Sequence, residues 1–174
     1  MRNCILFLES KIMSSNNTCV KGLVRQYNSS WKMLRTAIEN VPDEKWHDGS
    51  EGWFFSLNAY HIVETMEFYM NDSPDGWKWG SRAGFDWDTV ENKDKDILPK
   101  ITKKLVSTYL DDMEKLVTKS LNSMDTKKLD SKDGFHWFES VLENLLYLLR
   151  HNMHHVGELS RSLRDWGCKR SKWV

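Results

Sequence analysis

The chain has 174 residues, a length typical of one domain, and its 25 basic and 25 acidic side chains give a formal net charge of zero. This balance offers no electrostatic basis for binding nucleic acid or an anionic membrane surface. No apolar segment approaches the roughly 20 residues of a membrane-spanning helix. The 3 cysteines lie far apart, which is typical of the reducing cytoplasm and not of a disulfide framework. We therefore expect a cytoplasmic protein.

Helical periodicity dominates the sequence and predicts four long helices. The first runs from about Ser15 to Asn40 and stops before Pro42, which opposes continuation of a helix. The second begins near Ser56, a residue type that often caps a helix, and ends at Asp72 before the turn sequence SPDG.

The other two predicted helices lie in the C-terminal half. The third starts at Pro99, a residue well placed in a first helical turn, and runs to about Met124. The fourth runs from about Trp137 to Trp166, and Gly167 stands where a left-handed capping residue is expected. The predicted domain organisation is a loose N-terminal leader, a four-helix bundle domain and a C-terminal tail, over residues 1–14, 15–167 and 168–174.

Two long connections, residues 41–55 and 73–96, are rich in aromatic side chains. These are Trp46, Trp53, Phe54 and Phe55 in the first connection, and Trp77, Trp79, Phe85 and Trp87 in the second. Because disordered segments are usually poor in aromatic residues, we expect both loops to be structured. Their rings either close the open ends of a helical core or line a ligand pocket, and the sequence is compatible with both roles.

Three of the 6 histidines lie close together in the last predicted helix, at His151, His154 and His155. At about 100° per residue, His151 and His155 lie one turn apart on the same face, at the edge of the apolar stripe. His154 is rotated away from them, toward solvent. Two imidazoles at positions i and i+4 can chelate a metal ion, although this spacing alone is weak evidence.

A third imidazole would complete a metal site. His61 lies in the middle of the second predicted helix, where a single histidine is usually a hydrogen-bonded residue at the edge of the core. In a four-helix bundle, however, helices two and four can lie side by side, so that their inward residues converge. Three neutral imidazoles with an open fourth position are typical of a catalytic divalent-metal site. His47 and His136 lie in or near loops and are predicted to be ordinary loop residues.

Imidazoles that bind a metal need hydrogen-bond partners that set their tautomer. Glu64, one turn after His61, and Asn144 and Glu158, near the histidines of the last helix, are candidates for this role. An ordinary surface or capping role fits each position equally well. The sequence has no Ser–His–Asp order, phosphate loop or nucleotide fingerprint, so no side chain is predicted to be a catalytic nucleophile.

Three segments, VPDEKW, WFFSLNAYHIVETMEFY and RHNMHHVGELSRSLRDWG, together resemble the DinB/YfiT-like family of metal-dependent hydrolases and thiol transferases. The resemblance spans about residues 20–167. The family pattern has a loop with proline and an acidic residue, a serine at helix two, a histidine within that helix, and a His-x-x-x-His-x-Gly pair in the last helix. The matching residues are Pro42, Asp43, Glu44, Ser56, His61, His151, His155 and Gly157.

The resemblance implies an all-α, up-down-down-up four-helix bundle that forms a homodimer. It also implies a divalent nickel, zinc or iron ion held by His61, His151 and His155. A water or low-molecular-weight thiol at the metal would be the nucleophile, and the substrate would be a small molecule. The residues expected to line the substrate pocket are Trp53, Phe54, Trp77 and Trp79.

Two functions are compatible with this resemblance. One is a metal-dependent enzyme, such as a bacillithiol-type S-transferase or a hydrolase. The other is a non-catalytic bundle that binds a metal or an apolar small molecule, with a stress-related role. Val156 and Glu158 stand where family members often have Arg and Gln, and this departure leaves the substrate class open.

Overall fold

A computed structural model describes the backbone of residues 2–50 and 52–174, and the side chains of residues 18–50 and 52–174. Its α-helices are α1 (Arg2–Asn40), α2 (Phe55–Tyr69), α3 (Lys93–Ile97), α4 (Lys103–Ser123), α5 (Thr126–Leu129) and α6 (Val141–Asp165). A two-stranded antiparallel hairpin pairs β1 (Gly49–Ser50) with β2 (Trp53–Phe54). The fold is all-α, as predicted. The predicted leader over residues 1–14 lies outside the residues whose side chains are described.

Helices α1 and α4 pack antiparallel to each other. Lys103, at the start of α4, donates a hydrogen bond of 2.7 Å to the carbonyl of Val41, just after the end of α1. Two turns further along α4, Asp111 forms an ion pair with Arg35, which precedes the end of α1.

Helices α2 and α6 are also antiparallel. Asn58, near the start of α2, donates a hydrogen bond to Glu158, near the end of α6. At the opposite ends of the two helices, Asn144 donates a hydrogen bond to the carbonyl of Tyr69. The antiparallel packing therefore brings the middle of α2 beside the C-terminal half of α6.

Helix α1 also packs against α6, and α2 packs against α4. Each of α1 and α2 therefore contacts both α4 and α6. Helices α1 and α6 run parallel, because the hydroxyl of Tyr27 donates to the carbonyl of Leu145 and, further along both helices, Met33 lies in the same groove as Met153. The four long helices therefore run up, down, down and up, as predicted.

Apolar stripes on the four long helices form a common core. Its largest fully buried side chains include Tyr27, Trp31, Tyr60, Ile62, Tyr109 and Leu110. Burying each such side chain stabilises the fold by roughly 1.5–3 kcal/mol before entropy is counted. Within the described residues, none of the helices has the length and apolar character of a membrane span.

The first aromatic loop contains a 3₁₀ turn, Asp43–Lys45, followed by the hairpin. Trp46 is buried, and its indole N–H donates a hydrogen bond of 2.7 Å to the carbonyl of Ile101. Gly49 has φ +153°, and a Cβ atom there would lie 2.7 Å from the carbonyl oxygen of Trp53. The hairpin therefore needs glycine at this position, and it places Trp53 directly before α2.

The second aromatic loop packs partly against an aromatic group separate from the main core. We call this group the loop aromatic cluster; it consists of Phe68, Phe135 and Phe138, with Tyr69, Trp77, Trp79 and Tyr147 packed against them. Further along the loop, Phe85 and Trp87 contact the main core instead. Within the described residues, both loops thus pack aromatic rings against the bundle.

The second helix begins near Ser56, as predicted, but this serine does not cap it. Helix α2 begins at Phe55, with Phe54 in the capping position and no side-chain cap. Ser56 lies inside the helix, where its hydroxyl bonds the Nδ1 atom of His47 at 2.9 Å. The hydroxyl that was predicted to cap the helix therefore bonds a histidine of the preceding loop instead. The helix also ends at Tyr69, before the predicted Asp72.

The predicted starts of the last two long helices are wrong. Pro99 lies in a 3₁₀ turn, and α4 begins after Thr102, whose side chain accepts a hydrogen bond from the backbone N–H of Leu105. Helix α6 begins after Ser140, which caps it in the same way, and not at Trp137. Capping hydroxyls therefore define both starts. The C-terminal end of α6 agrees with the prediction, since Gly167 has φ +72°.

Candidate metal centre

Three histidines from α2 and α6 converge on one side of the bundle. One ring nitrogen each from His61, His151 and His155 lies within 4.8 Å of the other two. His151 and His155 share a face of α6 because they are one turn apart. The antiparallel pairing of α2 with α6 then brings His61 beside them, with ring centroids 5.0 Å from each.

The spacing of these nitrogens suits a common metal ion. The Nε2 atoms of His61 and His151 are 3.1 Å apart. Two adjacent nitrogen ligands about 2.0–2.1 Å from one ion lie roughly 2.8–3.4 Å apart in octahedral or tetrahedral coordination. The donor set also suits zinc, nickel or iron, for which imidazole is a good ligand.

Burial favours the neutral form of two of these histidines. Together with the proximity of His155, it lowers the pKa of His61 to about 4. Burial also lowers the pKa of His151 to about 3, with an additional contribution from His61. Both rings are therefore neutral near pH 7, the form in which an imidazole nitrogen can bind a metal ion.

The third ring is oriented by a carboxylate. The Nδ1 atom of His155 lies 2.6 Å from Oε2 of Glu158, which also accepts a hydrogen bond of 3.1 Å from Asn58. Burial acts to raise the pKa of Glu158, but the hydrogen bonds from His155 and Asn58 outweigh it and leave that pKa below its ordinary value. An ionised carboxylate beside Nδ1 holds the proton on that nitrogen and leaves the lone pair of Nε2 free to bind a metal ion.

The other two rings have different surroundings. The Nδ1 atom of His61 lies 3.3 Å from the hydroxyl of Thr65, and the ring of Tyr147 stacks on His151 with centroids 6.1 Å apart. The Nδ1 atom of His151 is buried without a hydrogen-bond partner among the described residues. Thr65 was not among the predicted partners, although its position one turn after His61 indicates it. Asn58 was not predicted either, because only the pairing of α2 with α6 brings it to Glu158.

Two residues predicted to orient the histidines form their hydrogen bonds elsewhere. Glu64 accepts hydrogen bonds from the backbone N–H of Gly80 at 2.5 Å and from the hydroxyl of Tyr60 at 3.1 Å. Asn144 donates to the carbonyl of Tyr69 and to a carboxylate oxygen of Asp133. Both side chains thus connect loops to the bundle.

Trp53 is the predicted pocket residue that lies at the histidines. It is 43% exposed, and its ring centroid is 5.4 Å from that of His155 and 6.0 Å from that of His61. Phe54, the next residue, packs partly buried against the main core. The indole therefore forms an apolar, solvent-accessible surface at the edge of the imidazoles.

Trp77 and Trp79 lie in the loop aromatic cluster, where both rings pack on Phe68. The same cluster includes Tyr147, which stacks on His151. The structure therefore connects these two tryptophans to the histidines through an intervening tyrosine ring.

The other three histidines do not converge with His61 and His151. The ring centroid of His154 lies 4.9 Å from that of His155, but the side chain is 68% exposed, as the helical phase indicates, and its Nε2 atom lies 3.6 Å from Glu158. His154, His155 and Glu158 form a second, more exposed group of possible metal ligands. His47, in the first loop, bonds the hydroxyl of Ser56 in α2, and the ring of His136 contacts Trp137.

The sequence model of the DinB family matches residues 13–173, which include all three clustered histidines. The chain belongs to the DinB family. A crystal structure of a DinB-like protein from Bacillus cereus is similar to this chain with a TM-score of 0.63, at 17% sequence identity. The similarity covers 88% of this chain and 97% of that one, and at this identity it shows the DinB fold alone. None of the curated protein sequences matches the chain.

Proposed function

We propose that this DinB-family protein binds one divalent metal ion through His61, His151 and His155, and that it is a metal-dependent enzyme. The observation that carries the proposal is the convergence of three imidazole nitrogens within 4.8 Å, from two helices whose packing brings them together. A divalent ion in such a site lowers the pKa of a bound water or thiol, so that a nucleophile is available near neutral pH.

The surrounding side chains orient the ligands and define the approach to them. Glu158 holds the proton of His155 on Nδ1, and Thr65 provides the hydrogen-bond partner for Nδ1 of His61. The partly exposed indole of Trp53 offers an apolar surface on which a substrate can rest beside the histidines. Such positioning of two reactants can supply a large part of a rate enhancement.

A low-molecular-weight thiol of the bacillithiol type is our proposed nucleophile, and an apolar electrophile is the proposed second substrate. Neither of the described cysteines, Cys19 and Cys168, belongs to the histidine cluster, so we assign the nucleophile to a molecule bound at the metal. In the proposed reaction the thiolate sulfur forms a bond to an electrophilic carbon, the leaving group departs from that carbon with the bonding electrons, and the thiol proton passes to solvent. Hydrolysis, with water as the nucleophile, is the alternative that needs no thiol. Zinc, nickel and iron are the candidate ions.

Metal analysis of the purified protein tests the metal site. We expect about one divalent ion per chain, and we expect His61→Ala, His151→Ala or His155→Ala each to remove most of it, because two remaining ligands bind weakly. His154→Ala is the matched control, since this exposed neighbour lies on a different face of α6. Equal metal loss in the control, or full metal content in the three variants, would contradict the proposed site.

A thiol-transfer screen tests the activity separately. The metal-loaded protein is assayed with a panel of thiols and apolar electrophiles, and turnover should require both metal and thiol. Turnover without thiol would assign the protein to the hydrolases. Metal binding without turnover of any substrate would favour the non-catalytic binding protein with a stress-related role.

A further inference from the structure

A second concave site lies on the other side of α6 from the histidines. It is an open cleft of about 790 Å³ between α1, α6 and the C-terminal residues 168–173, and we call it the tail cleft. Gly157 lines it and follows His155 by two residues, so the two positions point roughly 200° apart around α6. The tail cleft is therefore separate from the metal centre.

The tail cleft is strongly basic in a chain of zero net charge. Its lining includes no acidic residue and five basic ones, Arg161, Arg164, Lys169, Arg170 and Lys172. Asp165 lies 3.4 Å from Arg161 and 3.3 Å from Arg164, but these pairs are exposed to solvent and therefore weak. Within residues 18–50 and 52–174, no carboxylate lies within ion-pair distance of the three basic residues of the tail.

The same cleft has an apolar side. Met33, from α1, and Met153, from α6, lie in its wall, and the indole of Trp173 is 83% exposed at its rim. An exposed tryptophan beside basic side chains is suited to contact an apolar or aromatic group while the cations pair with an acidic one.

The tail is attached to the bundle, so the cleft exists before any ligand binds. The hydroxyl of Ser171 donates a hydrogen bond of 2.8 Å to the carbonyl of Met33, and the backbone N–H of Cys168 donates one of 2.7 Å to Leu163. At Gly157 a Cβ atom would meet no other atom within 4 Å, so the absence of a side chain leaves this part of the cleft open.

We infer that the tail cleft binds a small organic anion with an apolar or aromatic body and a carboxylate, phosphate or sulfonate head. Charge complementarity selects the head, and the methionines with Trp173 contact the body. The volume lies in the range of about 300–1,000 Å³ that is usual for small-molecule pockets. The five cations lie together in one cleft of a protein with zero net charge, which suits a compact anion better than an extended polyanion.

A fluorescence titration with 1-anilinonaphthalene-8-sulfonate tests this inference, with the uncharged N-phenyl-1-naphthylamine as the matched probe. We expect the sulfonate to bind and decanoate to displace it, whereas decan-1-ol does not. Added salt should weaken binding, because the pairing cations are exposed to solvent. Equal binding of the charged and uncharged probes would overturn the inference.

Two variants test whether the sulfonate probe binds in the tail cleft. Arg164→Gln/Arg170→Gln should raise the dissociation constant at least about fivefold, since two charge-assisted contacts are lost. Gly157→Leu should weaken binding, because the added side chain occupies part of the cleft. This variant should fold, because leucine favours a helix more than glycine does and the space is open. Melting temperatures verify folding, and an unchanged dissociation constant in either folded variant would overturn the inference.

The chain offers a matched control on α4. Lys115 and Lys119 are exposed in another open groove, of about 510 Å³, but this groove also contains Asp111 and Glu114. Lys115→Gln/Lys119→Gln should leave probe binding unchanged, as should His61→Ala at the metal centre. Equal weakening in the lysine variant would show nonspecific attraction to lysines and overturn the inference.

A co-sedimentation experiment with lipid vesicles distinguishes binding of a free anion from binding of a lipid head group. The protein is mixed with phosphatidylglycerol vesicles and with phosphatidylcholine vesicles. A tail cleft for small anions predicts displacement of the probe by monomeric decanoate and no sedimentation with either vesicle. Sedimentation with phosphatidylglycerol vesicles, without displacement by decanoate, would assign the cleft to a membrane surface and contradict our inference.

Discussion

Glu158 connects three of the residues around the metal centre. One of its oxygens bonds Nδ1 of His155 and accepts from Asn58, and the other lies 3.6 Å from Nε2 of His154. The first contact is the one that sets the tautomer of His155, a proposed metal ligand. Carboxylates in this position usually influence metal affinity almost as much as the ligands do.

We therefore expect Glu158→Ala to weaken zinc binding by about 10–100-fold, because His155 loses the acceptor that keeps its proton on Nδ1. Competition with a chromophoric chelator measures the change. His154→Ala, which removes only the exposed contact with the same carboxylate, is the control and should bind zinc as the unaltered protein does. An unchanged affinity in Glu158→Ala would mean that the carboxylate does not orient the ligand.

At the scale of single elements, a capping hydroxyl defines the start of α4. Thr102 accepts from the backbone N–H of Leu105, while Pro99 lies in the preceding 3₁₀ turn. Thr102→Ala should lower the free energy of unfolding by about 1 kcal/mol, since one N–H of the first helical turn loses its partner. Chemical denaturation measures the change. Thr108→Ala, inside the same helix, is the comparison variant and should cost less than the loss of the cap.

The attachment of the second aromatic loop to α2 depends on a buried carboxyl group. Burial raises the pKa of Glu64 from 4.5 to about 7, although Gly80 and Tyr60 donate hydrogen bonds to it. Glu67 on the same helix also acts to raise this pKa. The hydroxyl of Tyr109, from α4, bonds Glu67 beside it.

The sign of the resulting pH dependence follows from proton binding. Between about pH 4.5 and pH 7 the folded state holds the Glu64 proton more tightly than the unfolded chain does. The contribution of Glu64 to stability is therefore present below pH 4.5 and is lost as the pH rises to 7. Glu64→Gln, which stays neutral and can still accept both hydrogen bonds, should remove this loss.

We expect metal-free Glu64→Gln to be more stable than the unaltered protein by about 1–3 kcal/mol at pH 8, and to match it near pH 4.5. Urea unfolding of both proteins at both pH values measures how the difference in their stability changes with pH. Glu91→Gln, at an exposed position of the same loop, should show no such change. A difference that stays constant with pH would show that Glu64 ionises in the folded protein as it does in the unfolded chain.

At the scale of the whole molecule, the loop aromatic cluster is a second packed region attached to the main bundle. Trp77 and Trp79 pack on Phe68 within it. Replacing either tryptophan by Ala should destabilise the fold by about 2–3 kcal/mol, less than for a fully buried aromatic residue because both are half-buried. Thermal unfolding measures the stability, and metal content should remain unchanged.

The activity of the same variants separates two roles for these tryptophans. If they also line the substrate pocket, turnover per folded, metal-loaded molecule falls in addition to stability. If they only pack the loop, turnover per folded molecule is unchanged. A simultaneous loss of metal would contradict the separation of the cluster from the histidine ligands.

The sequence by itself determined the helical class, the four long helices and the faces of the histidines. These features depend on periodicity and on short spacings, such as the one turn from His151 to His155. It also determined Glu158 as a candidate partner, because a residue three positions after His155 lies on nearly the same side of the helix.

Only the tertiary structure decided which residues distant in sequence meet. Asn58 reaches Glu158, His47 takes the hydroxyl of Ser56, and the carboxyl group of Glu64 bonds Gly80. Each contact depends on the packing of helices and loops, so local propensity could not reveal it. The tail cleft is the clearest case. Its basic residues lie in one short segment, residues 161–172, but only the hydrogen bond from Ser171 to α1 brings that segment beside Met33 to form one cleft.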